Sequence, residues 1–229
     1  MKSQNQYMND AVALLSELGV YRTSIGTWAF TDVAVASGCY IHHSRTPVAL
    51  AAYAAVDPIF AAGRIPNYTL VALVDKIPCM DGTESTALAL ICDAEPPTLP
   101  SAALRGEIFG NTAWQIVRNY QLESCFIEVE PYGSQGSHFT MRPQGYDYQQ
   151  STPIPASLKT MRKAYRSMAP VQQIMVLTLI HLYCPGPDKF FLTGGCPTQI
   201  PAAKALATLR NNGQALKIWA HLLAHYAGW

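Results

Sequence analysis

The chain has 229 residues, of which 49% are hydrophobic and only 14% charged. Soluble domains usually carry about 25% charged residues, so part of this surface is expected to be covered by other protein subunits rather than by water. The apolar content excludes disorder over most of the length. No apolar run reaches the roughly 18 residues that a membrane span requires, and Asp10 and Glu17 stand where a signal peptide would carry its apolar stretch. A cytoplasmic chain with no membrane partner is expected, with its six cysteines as reduced thiols.

The net charge of +1 hides an asymmetry. Residues 1–150 hold 8 Lys and Arg against 14 Asp and Glu, a net of −6, whereas residues 151–229 hold 8 cations against the single carboxylate of Asp188, a net of +7. A segment so poor in acids cannot neutralise its own cations, so it either docks on the acidic half or meets phosphates.

In chain order, Asp10 is expected to cap a helix over residues 11–18, followed by an irregular stretch over 21–44 and an Ala-rich helix over 48–56. Residues 68–76 and 85–93 read as two strands of a hairpin turning at Asp81-Gly82. A helix over 102–120 and a strand over 125–130 follow. Residues 131–155 form a stretch too long for an ordinary connection, expected to be a functional loop or an interdomain linker. Beyond it the pattern is helical over 157–168, 171–183, 201–210 and 214–226, with Pro170 and Pro201 at first-turn positions. The expected fold class is α+β. An acidic, protein-contacting domain over 1–150, a small antiparallel sheet with helices, precedes a basic helical bundle over 151–229.

The helix over 157–168 carries the clearest pattern. Lys159, Arg162, Lys163 and Arg166 fall within one arc of about 100°, and Leu158, Met161, Tyr165 and Met168 occupy the other side. Four cations with no interleaved acid repel one another unless something negative lies alongside, and a phosphate backbone is such a partner. Nucleic acid is favoured over an acidic protein surface and over an ordinary solvated face. Lys204, Arg210 and Lys217 are candidates to extend the same surface. In the stretch 131–155, glycines and amides with His138, Arg142 and three tyrosines suit stacking on and hydrogen bonding to bases, which makes Gln135, Arg142 and Gln144 candidate base readers. A linker without contacts has the same composition.

No metal, cofactor or catalytic residue is expected. Cys39 and His42 form at most half a zinc site, since no second Cys-x-x-Cys or Cys-x-x-His pair follows. His221 and His225 share a helix face without the intervening Glu of a zincin. Glu128 and Glu130 are the only closely spaced carboxylates considered for acid–base work, and an exposed strand edge explains them.

Ala29-Phe30-Thr31-Asp32, then Ser37-Gly38-Cys39 and His42, resemble the N-terminal zinc-module region of the large-subunit family of type IV CRISPR effector complexes. A second similarity lies at Phe191-Leu192-Thr193-Gly194-Gly195-Cys196-Pro197. The two segments cover fewer than 30 residues, and of the cysteine pairs of that zinc module only Cys39 and His42 are matched. The resemblance implies a non-enzymatic subunit of an antiviral-defence ribonucleoprotein that contacts guide RNA and target DNA. Two other readings stay open, a small cytosolic Cys/His-dependent enzyme and a structural adaptor.

Overall fold

The computed structural model describes residues 2–17, 20–24, 28–30, 69–98, 102–129, 140–183 and 190–228. Among them the fold is α+β. Eight α-helices accompany six short strands, which form three separate antiparallel pairs rather than one sheet. The expected helix over 48–56, Cys39, His42, Gln135 and His138 lie outside the described residues.

Helix α1 (Gln4–Glu17) starts about two turns earlier than the sequence suggests. Ser3 begins it, its carbonyl accepting from the Gln6 and Tyr7 amides at 3.0 and 3.1 Å. Asp10 is therefore no cap. It sits mid-helix and pairs with Lys2 at 2.8 Å. Strands β1 (Val20–Arg22) and β2 (Trp28–Phe30) pair with Val20 opposite Phe30, inside a stretch read as irregular.

The expected hairpin over 68–93 is replaced by two helices, α2 (Leu70–Val74) and α3 (Gly82–Ile91). A short apolar run fits a buried helix as well as a strand, and here the caps decide. The Thr69 hydroxyl accepts from the Ala72 amide. Asp81 accepts from the Glu84 amide at 2.9 Å, and the Glu84 carboxylate accepts from the Asp81 amide at 3.1 Å. That reciprocal pair is a capping box, which satisfies two helix-end donors at once. Asp81-Gly82 is thus a helix start and not a turn. Gly82 also lets Tyr7 of α1 approach, since a Cβ there would lie 2.5 Å from the Tyr7 ring.

Helix α4 (Ala102–Asn119) and strand β3 (Phe126–Glu128) fall where expected. The second half of the supposed loop is folded. Strand β4 (Met141–Pro143) pairs with β3, placing Arg142 opposite Ile127, and β5 (Tyr146–Asp147) pairs with β6 (Thr152–Pro153). The Asp147 carboxylate accepts from the amides of Gln149 and Gln150, both at 2.9 Å, closing that small hairpin.

Four helices complete the chain: α5 (Pro155–Ser167), α6 (Pro170–Tyr183), α7 (Ala202–Arg210) and α8 (Ala215–Ala224). Helix α6 is the hub. It is apolar around nearly its whole circumference, as a helix enclosed by others must be, and it packs against α2, α5, α7 and β4. Helix α8 packs against α3, α4 and α7. The buried apolar side chains from both sides of residue 150 form one cluster, so the core runs across the boundary expected there.

Candidate nucleic-acid interface

Helix α5 divides its two faces as the sequence indicates. Leu158, Met161 and Tyr165 are buried, and Lys159 and Lys163 are exposed. Pro155 opens the helix at a position that needs no backbone donor. Among the described residues no carboxylate pairs with Lys159, Arg162, Lys163 or Arg166; the ion pairs there are Lys2–Asp10, Arg22–Asp93 and His181–Asp75. Among the described residues, the stripe makes no salt bridge to the acidic half.

The two arginines have partners of another kind. Half-buried Arg162 donates from Nε to the Phe191 carbonyl at 2.9 Å and from Nη2 to the Phe190 carbonyl. Arg166 donates to the Gly194 carbonyl at 2.9 Å and lies 3.9 Å from the Cys196 sulfur. Buried Tyr165 donates its hydroxyl to the Pro197 carbonyl at 2.7 Å. Thus α5 holds the 190–197 loop by its carbonyls, and the four-cation stripe resolves into two arginines that fix a loop and two lysines that face solvent. Sequence alone could not separate them, because the carbonyls arrive from about thirty residues further on.

The folded half of the long loop joins the same region. Gly145, at φ 104°, lies against Leu158, and a Cβ there would come within 2.5 Å of the leucine side chain. This close approach seats the hairpin on α5. Tyr146 meets Tyr148 and Phe190 edge-on at 5.1 and 5.8 Å, and Phe190 meets Phe191 at 5.1 Å. Arg142 donates to the Met141 carbonyl at 2.9 Å and stands 5.8 Å from the Tyr148 ring centre. The Gln144 amide donates to the Cys125 carbonyl, and its side chain is partly exposed. Helix α5 thus holds both the 142–148 segment, through Gly145 on Leu158, and the 190–197 loop, through Arg162, Tyr165 and Arg166, and it carries Lys159 and Lys163 exposed. Partly exposed aromatic rings can stack bases, and exposed lysines can hold phosphates.

Lys204 and Arg210 are carried by α7, and Lys217 by α8, so these three stand on helices other than the stripe. Lys217 lines a cleft of about 380 Å³ between α4 and α8. No group of three potential metal ligands occurs among the described residues. Burial raises the thiol of Cys92, and it raises that of Cys125 to about 11. It also raises Cys196, outweighing the pull of the Arg166 and Arg162 guanidiniums. A thiolate nucleophile needs the opposite shift. Among the described residues no helix is long and apolar enough to cross a membrane. No protein-family model, curated protein or solved structure matches the chain.

Proposed function

We propose that this chain is a non-catalytic nucleic-acid-binding subunit of a larger ribonucleoprotein assembly, of the CRISPR effector kind that the type IV resemblance implies. One observation carries the reading: Lys159 and Lys163 lie exposed, with no carboxylate partner among the described residues, on the helix that seats the hairpin bearing Tyr146, Tyr148 and Arg142. The two lysines hold the strand by its phosphates, and the rings and Arg142 meet its bases. Arg162 and Arg166 serve this surface indirectly, by fixing the 190–197 loop against α5. The shortage of surface charge fits a chain with protein neighbours as well.

Filter binding of single-stranded RNA and DNA over a series of salt concentrations tests the reading. Affinity that falls linearly with the logarithm of salt concentration supports it. A flat dependence, or no binding even within the assembled complex, removes it and leaves the adaptor and enzyme readings.

A further inference from the structure

The cleft between α4 and α8 lies apart from the α5 stripe in sequence, and its chemistry differs. Gln115 and Asn119, four residues apart, share one face of α4; Lys217 and His221 share one face of α8, and Gln214 is the N-cap residue of that helix. Ile218 and the partly buried Tyr120 add apolar surface, and exposed Glu95 is the one carboxylate of the lining among the described residues. The volume of about 380 Å³ is at the small end of ligand sites. It suits one nucleotide unit and excludes a duplex.

The polar groups are of the right kind for a base. A side-chain amide presents a donor and an acceptor side by side, which matches a base edge in a way that a lone ammonium or carboxylate does not. His221 Nδ1 lies 3.3 Å from the Glu95 carbonyl. A carbonyl can only accept, so that nitrogen is the donor of the pair, and Nε2 is the ring atom it leaves for a ligand. Tyr120 offers a ring on which a base can stack. Exposed Lys217, at the same face of α8, is placed for the attached phosphate.

We infer that this cleft is a binding site for a single nucleotide unit, with its base held by the Gln115, Asn119 and Gln214 amides against Tyr120 and its phosphate by Lys217. The site deepens the nucleic-acid reading and rests on it for its occupant, an unpaired nucleotide of the bound strand; a free nucleoside monophosphate shares the chemistry.

The test uses the full chain and the double variant Gln115→Ala/Asn119→Ala. Both positions are exposed, and alanine is the stronger helix former, so the fold is retained. Binding of a short single-stranded oligonucleotide is measured over a salt series, and that of adenosine and uridine monophosphates by calorimetry. An oligonucleotide carrying 4-thiouridine is also photocrosslinked and its adducts are mapped. For a strand-held nucleotide, the double variant should weaken oligonucleotide binding about 5- to 150-fold with an unchanged salt slope, and adducts should fall on Tyr120 or on α8. Monophosphate binding that the double variant abolishes, with oligonucleotide binding untouched, supports the site and assigns it to a free nucleotide. Unaltered affinity for both ligands, with no adduct at the cleft, overturns the inference. If the wild-type chain shows no salt-dependent strand binding, the functional reading itself fails. If it shows such binding, and neither the strand nor the monophosphates respond to the double variant, only the cleft assignment fails.

Discussion

Arg162→Lys separates the two roles within the basic stripe. Arg162 spends two guanidinium nitrogens on the Phe190 and Phe191 carbonyls from a half-buried position. A hydrogen bond to a charged donor contributes about 1.5–3 kcal/mol, less where water can replace it. Lysine keeps the charge but has no planar fork to span two adjacent carbonyls. Losing one such bond and weakening the other should cost about 2–3 kcal/mol. For a chain of this length that lowers the Tm by roughly 4–12 °C. Lys159→Gln, at an exposed site with no pairing partner among the described residues, should stay within about 0.5 kcal/mol of wild type. Thermal and urea denaturation followed by circular dichroism measure both. Equal stability of Arg162→Lys and wild type, or an equal loss in Lys159→Gln, would refute the assignment of Arg162 as the residue that fixes the loop.

Other consequences follow from the core. Trp219 donates its indole N–H to the Thr178 hydroxyl at 3.0 Å where both side chains are fully buried, so Thr178→Val should cost about 1–3 kcal/mol by urea denaturation, and Thr178→Ser should recover part of it. Burial lowers the pKa of His225 below its ordinary 6.5. The unfolded chain therefore takes up this proton first, and stability should fall as pH drops below 6.5 until the folded value is passed. Denaturation at pH 7.5 and 5.5 should show a smaller difference in His225→Gln than in wild type. Asp81→Ala removes the α3 cap and should cost about 0.5–2 kcal/mol; an unchanged urea midpoint would contradict the capping-box account.

The later helices were legible in the sequence because their apolar residues recur at helical spacing. Helices α5 to α8 lie within a few residues of expectation. Helix α3 was misread because Ala87 to Ile91 is apolar without periodicity, so only the Asp81-x-x-Glu84 pattern distinguished helix from strand. That signal was present and outweighed by Asp81-Gly82. Along the interface, charge patterning marked α5 but could not reveal which cations would find backbone carbonyls, because those contacts are tertiary. The hairpin at 146–153 was hidden by turn-rich composition, and its seating depends on Gly145 meeting Leu158. In the cleft, Lys217 stood out by charge. The Gln115 and Asn119 amides carry no charge and gained meaning only once α4 lay against α8.

The most direct measurement is the salt slope of nucleic-acid binding in wild type and in Lys159→Gln/Lys163→Gln. This pair leaves the Arg162 and Arg166 contacts in place, so the loop and the fold are retained. If both lysines meet phosphates, the slope should fall by about 1.4 units on a single strand, or about 1.8 on a duplex, with affinity lower by about 10- to 30-fold near 0.15 M salt. A stable double variant with wild-type slope and affinity would contradict the account, and would return α5 to an ordinary solvated face.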